Sequence, residues 1–414
     1  MLRRAFLVGG TAGLVASTSG ASAQIGPPGV ADHLSATPRA RLHPPISTSR
    51  VLPAESVAQL AALTLDRFAL TTAMGGPAAS VGSVSIPIST VSASGNFDAL
   101  IDVIVAGLAP VPTCFDTGNS CLVLPYFEKI SSAPNFLARY KVWPEVVEEP
   151  FGARARLVRG AVAFSARNVN YAIPDCVFYA CIGLNGRGER TANFGSGIVS
   201  PWPQVPGFGE IKMPFLYDRQ FKFVEINMAA TKDVVSGTAA VRVNDASEIT
   251  LHRSEPNGFT MFKILPGKPW MALKPSAVNL SDWKTGWPGD IEDPIAMIDT
   301  GGGPVFLSDP QNVFQNSHWN NNAKLPEWLT SASHDCHATA APVSVEFSDG
   351  SQRFSYAIDT SAWPSSVRGL TLLACKSCEF MFGWPGMNIG GISALFNSIL
   401  VDVDGQRVGF KAKT

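Results

Sequence analysis

Apolar and polar residues alternate over short stretches through most of the chain beyond residue 80. The clearest stretches of this kind are Val84 to Ser89, Ala99 to Ala106, Leu157 to Ala166 and Val241 to Leu251. Clusters of Gly, Pro, Asn and Asp separate them. A period of two residues is typical of strands that bury one face, and such clusters are typical of turns. The pattern therefore predicts an all-β protein with few and short helices.

One segment near the start of the chain has a helical pattern instead. Residues 54 to 74 follow Pro53, place apolar residues on or near one face, and end at Gly75. These features are typical of a helix with a defined start and stop. Residues 24 to 52 before it have no usable period. Residues 24 to 79 are therefore predicted to be a linker or pro-segment with one helix, although an ordinary structural helix fits the same pattern.

The first 23 residues have the features of a cleaved export signal. Arg3 and Arg4 precede an uncharged apolar stretch, and Ala21 to Ala23 form a small-residue cleavage motif. The arginine pair also resembles a twin-arginine signal, which would imply a bacterial host, and a general secretory signal is the alternative. We expect residues 1 to 23 to be removed and the protein to be periplasmic or extracellular.

Composition and charge exclude several classes of partner. The 32 basic and 33 acidic residues nearly cancel, so no general attraction to nucleic acid or anionic lipid is expected. No apolar run long enough to span a bilayer follows the N-terminus. With 37 glycines, 31 prolines and only 16% charged residues, the composition also favours short strands and turns over long helices.

The seven cysteines fit an oxidising compartment, where most of them should pair. Cys114 and Cys121 can pair with each other or with Cys176 and Cys181. A second group consists of His334, Cys336, His337, Cys375 and Cys378. This group offers ligands for a structural metal ion, but in an exported chain disulfide bonds are the favoured interpretation. We expect no metal and no cofactor.

A repeated motif is the most informative feature of the chain. Phe115-Asp116-Thr117-Gly118 recurs as Ile298-Asp299-Thr300-Gly301, with apolar residues before each copy and a second apolar strand after it. A further apolar segment follows each copy, at Gly197 to Val199 and at Asn388 to Gly390. Two similar halves with one Asp each are what a duplicated fold with one shared site would leave.

These motifs resemble those of the pepsin-like aspartic proteases over residues 84 to 410. The matching segments are FDTGNSCLVLP from Phe115, GIVSPWP from Gly197, AMIDTGGGPVFL from Ala296 and NIGGISALFNSILVDVDGQRVGF from Asn388. The resemblance implies two β-rich lobes, residues 80 to 225 with Asp116 and 226 to 414 with Asp299, and a cleft between them. It also implies a monomeric endopeptidase that acts on polypeptides, and a second-lobe disulfide from Cys336 to Cys375 or Cys378.

Paired carboxylates explain why such a chain would carry out hydrolysis. Two carboxyl groups within hydrogen-bonding distance share one proton, so one acts as an acid and the other as a base toward a bound water. Gly118 and Gly301 permit tight turns whose N–H groups point at the carboxylates. Thr117 and Thr300 are expected to donate hydrogen bonds beneath them and, as the resemblance implies, to tie each loop to the opposite lobe.

The sequence departs from the family pattern at three places. Asn119 and Gly302 stand where a Ser or Thr usually supports each aspartate, and Ser200 stands where the first-lobe strand usually has Gly. The third departure is in the hairpin that closes over the substrate in this family, for which the candidate is Pro150 to Gly160. It carries Phe151 and Gly152 at its tip, in place of the usual Tyr.

These departures leave two rival hypotheses. One is a catalytically silent protein of the same fold that binds peptides or a partner protein. The other and weaker one is a structural metal protein. Arg154, Arg156 and Arg159 on the hairpin predict either a cationic rim that favours acidic substrates or, as the favoured interpretation, an ordinary solvated strand face. A serine hydrolase is not supported, because the sequence has no G-x-S-x-G motif.

Overall fold

The structure is a computed structural model that describes most of the chain beyond residue 81. The described residues are 82–91, 98–149, 153–167, 171–182, 192–198, 204–205, 208–228, 230–234, 241–243, 247–266, 271–280, 295–301, 305–308, 336–339, 342–359, 372–375 and 386–413. The predicted signal segment and the predicted helix at residues 54 to 74 lie outside this range.

The first half of the described chain consists of strands with two short helices after the fifth strand. Its strands are β1 (Ser83–Pro87), β2 (Ser89–Val91), β3 (Asp98–Val105), β4 (Val111–Asp116), β5 (Leu122–Leu124), β6 (Lys141–Glu148), β7 (Arg154–Phe164), β8 (Tyr171–Cys181), β9 (Ala192–Gly195), β10 (Gln204–Val205), β11 (Gly209–Glu210) and β12 (Phe223–Asn227). The helices are α1 (Phe127–Ser131) and α2 (Phe136–Arg139), and Pro214–Tyr217 form one 3-10 turn.

The second half also consists mainly of strands. Its strands are β13 (Ala230–Val234), β14 (Val241–Val243), β15 (Glu248–His252), β16 (Thr260–Lys263), β17 (Ala272–Leu273), β18 (Pro275–Leu280), β19 (Ile295–Met297), β20 (Val305–Ser308), β21 (Cys336–Thr339), β22 (Val343–Ser348), β23 (Arg353–Ile358), β24 (Leu372–Cys375), β25 (Gly386–Asn388), β26 (Asn397–Asp402) and β27 (Arg407–Ala412). One helix, α3 (Ser393–Phe396), precedes β26. The prediction of an all-β protein with few short helices is confirmed.

Two sheets repeat the same order of strands. In the first, β3-β4-β9-β5-β8-β7 are neighbours, and in the second, β17-β19-β25-β20-β24-β21 are neighbours. The directions also agree, because β4 with β9 and β19 with β25 are parallel, and so are β5 with β8 and β20 with β24. This repeat confirms the two related β-rich lobes that the motif repeat predicted.

A third sheet joins segments that are far apart in sequence. Its order is β1-β15-β12-β26-β27-β16, and every pairing in it is antiparallel. Strand β12 pairs with β15 on one side and with β26, near the end of the chain, on the other. The predicted lobe boundary between residues 225 and 226 falls within β12, so this strand serves both halves.

The core beneath each aspartate is apolar and fully buried. In the first lobe Phe115 stacks on Phe194 with ring centroids 5.6 Å apart, and Phe194 contacts Phe215 at 4.9 Å. In the second lobe the corresponding buried residues are Ile298 and Ile389. Because Phe115 and Ile298 immediately precede the two aspartates, this packing fixes the backbone from which the carboxyl groups project.

The cysteines of the first lobe do not form the disulfide that the sequence analysis predicted. Cys114, Cys121, Cys176 and Cys181 are buried as thiols. Side chains alternate along a strand, so Cys176 packs in the main core while Cys181 packs with Cys121 in a smaller cluster on the other side of β8. Sheet geometry therefore keeps Cys176 apart from the other two.

The C-terminus is tied to the second lobe through Lys413. Its ammonium donates to the carbonyl oxygen of Ala394 in α3 at 2.6 Å and to that of Met228. Burial lowers the pKa of Lys413 to about 8, and the Glu225 carboxylate opposes this shift. Since α3 follows directly on the segment that passes behind Asp299, this contact anchors that segment.

Among the described residues, no helix is long and apolar enough to cross a membrane.

The pKa of Lys413 predicts a pH-dependent stability. Between about pH 8 and pH 10 Lys413 is protonated in the unfolded chain but has lost its proton in the folded chain. The free energy of unfolding that Lys413 contributes therefore rises with pH. Relative to Lys413→Met, the wild type should gain about 2 kcal/mol in free energy of unfolding from pH 7 to pH 10. Urea unfolding at several pH values measures this gain. The exposed Lys411→Met is the matched control, and an equal change there would contradict the assignment.

Candidate active site

The two aspartates of the repeat end equivalent strands. Asp116 is the last residue of β4, and Asp299 lies two residues beyond β19. Both are buried, with Asp116 fully inaccessible and Asp299 5% exposed. A buried carboxyl group is costly unless it is hydrogen-bonded or protonated, so its partners decide what it can do.

The structure brings the two carboxyl groups together across the two glycines that follow them. A Cβ atom added to Gly118 would lie 2.6 Å from Oδ1 of Asp299 and 3.0 Å from Oδ1 of Asp116. One added to Gly301 would lie 2.4 Å from Cγ of Asp116. No side chain fits at either position, because the carboxyl groups of both aspartates border this narrow space.

Two threonines join the loops that carry the aspartates. The hydroxyl of Thr117 donates to the carbonyl of Ile298 at 2.8 Å and accepts the backbone N–H of Thr300 at 2.9 Å. In return the hydroxyl of Thr300 donates to the carbonyl of Phe115 at 2.9 Å and accepts the N–H of Thr117 at 3.1 Å. These four reciprocal bonds cross from one lobe to the other, and both threonines are buried.

Each carboxyl group has the same two hydrogen-bond donors. Oδ1 of Asp116 accepts the N–H of Gly118 at 2.8 Å, and Oδ1 of Asp299 accepts the N–H of Gly301 at 3.0 Å. The outer oxygen, Oδ2, accepts a side-chain amide in both lobes, from Asn193 at 2.6 Å and from Asn388 at 2.7 Å. Donors to the charged form stabilise an ionised carboxylate, so the site can hold a negative charge without a metal ion.

The side chain of Asn119 influences Asp116 only indirectly, through a neighbouring residue. Its Nδ2 donates to Oδ1 of Asn193 at 2.8 Å and to the carbonyl of Cys121 at 3.0 Å, while its Oδ1 accepts the N–H of Ser120 at 2.8 Å. It therefore orients Asn193 instead of contacting the carboxyl group itself. Gly302, the corresponding residue of the second lobe, lies outside the described residues.

Asn193 was not predicted from the sequence. Gly197 to Val199 was interpreted as the strand behind Asp116, with Ser200 in place of the usual Gly. In the structure β9 is that strand, and Gly195 is opposite Asp116. A Cβ on Gly195 would lie 2.2 Å from the backbone nitrogen of Cys121, so this position requires glycine. The repeated pattern Asn-apolar-Gly, at Asn193 and at Asn388, is the signal that would have revealed both amides.

The predicted substrate hairpin is formed by β6 and β7, and its tip residues Phe151 and Gly152 lie outside the described residues. Next to the tip, where the two strands end, Glu149 is only 2% exposed and accepts the N–H of Ala153 at 2.6 Å. This carboxylate was not predicted. Burial is the largest cause that raises the pKa of the Cys121 thiol, and the negative charge of Glu149 is the second. The charge of Asp116 also raises this pKa. The tip end of the hairpin and the loop of Asp116 are thus electrostatic neighbours.

Two of the three arginines of this hairpin already have partners. Arg159 donates to Asp175 at 2.7 Å, and Arg156 donates to the carbonyl of Pro144. Arg154 is opposite Glu148 in the sheet register. Because Asp175 neutralises Arg159 and a backbone carbonyl holds Arg156, the arginines fit an ordinary strand face better than a cationic rim.

The predicted alternative of a metal site gains no support from the part of the chain that the structure describes. No group of three or more potential ligands occurs within those residues. His334 and Cys378 lie outside them. The backbone register does place Cys336 directly opposite Cys375 on neighbouring antiparallel strands.

Comparison with known proteins agrees with the geometry at the level of fold. No family model and no curated protein matches the sequence. The structure, in contrast, is similar to that of the aspartic proteinase from Irpex lacteus. The TM-score is 0.51 and the sequence identity is 12%, and the match covers 80% of this chain and 98% of that one. The fold is that of the pepsin-like aspartic proteinases. At this identity the likeness establishes the two-lobed architecture, and the chemistry depends on the residues described above.

The threonine contacts predict a large and specific stability effect. Thr117→Val or Thr300→Val leaves one buried N–H and one buried carbonyl of the other lobe without a partner. Each variant should lose about 2–4 kcal/mol of unfolding free energy. Thr113→Val is the matched control, because the buried hydroxyl of Thr113 bonds only to Val111 within its own strand. Urea unfolding compares the three, and an equal loss in Thr113→Val would argue against a special role for the cross-lobe bonds.

Proposed function

We propose that the chain is an aspartic endopeptidase, in which Asp116 and Asp299 activate one water to hydrolyse a peptide bond. The observation that carries this proposal is the approach of the two Oδ1 atoms across Gly118. Each carboxyl group also has a backbone and a side-chain donor. The likeness of fold to an aspartic proteinase supports the same class of reaction.

The chemistry follows from one proton shared by two carboxyl groups. Two negative charges this near each other repel, so the pair retains one proton over a broad acidic range. The ionised member takes a proton from water as the water oxygen attacks the peptide carbonyl carbon. The protonated member donates to the carbonyl oxygen. When the C–N bond of the resulting tetrahedral diol breaks, a carboxyl group returns a proton to the leaving nitrogen, so no covalent enzyme intermediate forms.

Substitution of either aspartate tests the proposal. Asp116→Asn and Asp299→Asn each keep the shape of the side chain but cannot supply the acid and base pair. Proteolysis of a denatured protein substrate between about pH 3 and pH 7 should fall roughly 1000-fold or more in both variants.

Asp349→Asn, at an exposed turn residue, is the matched control and should keep full activity. A wild-type protein that is folded, trimmed at the N-terminus and inactive across this pH range would refute the endopeptidase. That result would favour the alternative function, in which the same fold binds peptides or a partner protein without cleaving them.

We also propose that the protein is exported and that Cys336 and Cys375 form a disulfide bond. The supporting observations are the signal-like first 23 residues and the direct pairing of the two Cα positions across antiparallel strands. Opposed residues on such strands have a Cα separation of about 4.5 to 5.5 Å, within the range that a disulfide bridges.

Mass spectrometry of a non-reduced digest tests the disulfide. We expect one linked peptide pair that contains Cys336 and Cys375, and no link among the four first-lobe cysteines. Recovery of Cys336 linked to Cys378, or of both as free thiols in protein from an oxidising compartment, would contradict the assignment.

A further inference from the structure

Each catalytic aspartate candidate is contacted by a buried asparagine whose orientation is fixed by a third group. Asn193 and Asn388 are 3% and 2% exposed. Oδ1 of Asn193 accepts from the amide of Asn119, and Oδ1 of Asn388 accepts the backbone N–H of Gly390 at 2.8 Å. Because the oxygen of each amide is occupied by a donor, the nitrogen must be the atom that faces the carboxylate.

The two asparagines are equivalent by register as well as by contact. Asn193 on β9 is opposite Cys114, two residues before Asp116, and Asn388 on β25 is opposite Met297, two residues before Asp299. The same residue type therefore stands at the same place in both copies of the duplicated fold. A residue needed only to fill space would not have to be polar here, because burying an amide is costly unless its hydrogen bonds are made.

We propose that Asn193 and Asn388 are the positioning residues of the carboxyl pair, each holding the outer oxygen of its aspartate as a hydrogen-bond acceptor. The proposal rests on the proposed endopeptidase for its kinetic consequences, but not for the titration described below. Asn119 acts one contact further out, by orienting Asn193. The amides thus provide the support that Asn119 does not give to Asp116 directly.

The chemical difference from a hydroxyl group explains what such an amide does. A hydroxyl can rotate and either donate to an ionised oxygen or accept from a protonated one, whereas an amide N–H only donates. Donation to both outer oxygens stabilises the ionised carboxylate and disfavours a proton on Oδ2 that points toward the amide. The shared proton is then directed to the facing Oδ1 atoms, where the attacking water would bind.

The groups that influence this titration are few within the described residues. The aspartates face each other, and the buried Cys121 thiol and Glu149 carboxyl lie on the side of Asp116. Replacement of Asn193 or Asn388 by Leu leaves all of these groups in place, whereas Asn119→Ala also removes a contact with the Cys121 thiol. A change in the titration of the pair can therefore be assigned to the lost amide.

The test removes one amide at a time with a side chain of similar size. Asn193→Leu and Asn388→Leu should each lower kcat about 10- to 100-fold with little change in KM, because they remove a charge-assisted hydrogen bond from one carboxylate. Loss of the donor disfavours ionisation, so the acid limb of the kcat profile should move to higher pH by about one unit. Asn119→Ala should move the acid limb of the kcat profile in the same direction by a smaller amount.

The matched control is Asn397→Leu. Asn397 is also buried, at 1% exposure, and donates to the carbonyl of Ser393 instead of to either aspartate. It should leave kcat and the pH profile unchanged, whatever it does to stability. An equal shift in this control, or no shift in Asn193→Leu and Asn388→Leu, would overturn the proposal.

Direct titration separates this proposal from the proposed function. Carbon-13 NMR of carboxyl-labelled aspartate follows the two carboxyl groups without any substrate. If the wild type is inactive but the leucine variants raise the titration midpoints, the endopeptidase is wrong and the positioning role stands. If unchanged midpoints accompany unchanged activity, the positioning role is wrong. Should Asn388→Leu not fold, the smaller Asn388→Ala also removes the donor without adding a charge and should raise the midpoint, and an unchanged midpoint there would overturn the role of Asn388.

Discussion

The reciprocal hydrogen bonds of Thr117 and Thr300 are the contact on which the rest of the site depends. Neither lobe holds both aspartates, since each contributes one, and these bonds tie the two loops that carry them directly to each other. Each hydroxyl is both donor and acceptor, so a movement of one loop breaks bonds made by both. A carboxyl pair that shares one proton needs this rigidity, because its acidity depends steeply on the distance between the charges.

The duplicated sheets explain how a buried, charged pair can be accommodated. In each lobe the strand that passes behind the aspartate is parallel to the strand that carries it. This arrangement brings a side-chain amide to the outer oxygen, while the glycine turn brings a backbone N–H to the inner one. Within the described residues at least four donors therefore reach the two carboxyl groups. The apolar residues next to the aspartates, Phe115 and Ile298, exclude water from below and keep these bonds strong.

The structural features that depend on the local sequence pattern could be predicted. The contacts that depend on how strands are aligned in a sheet could not. The strand content, the repeated Asp-Thr-Gly and the two-lobed fold follow from alternation and repetition along the chain. Asn193 was missed because a polar residue interrupts the apolar pattern, which pointed to Ile198 and Val199 instead. The first-lobe cysteines were predicted to pair from their number alone, but the alternation along β8 turns Cys176 and Cys181 to opposite sides of the sheet.

The sheet that contains β1, β12 and β26 has a consequence for the order of events during synthesis. Strand β12 lies between β15 and β26, so residues 223–227 lack one neighbour until residues 397–402 have left the ribosome. Pairings between such distant segments form slowly. The first lobe can collapse around its aromatic core early, while the second aspartate and the C-terminal anchor arrive last. A nascent chain therefore carries only one of the two aspartates of the candidate site until its second lobe has been synthesised.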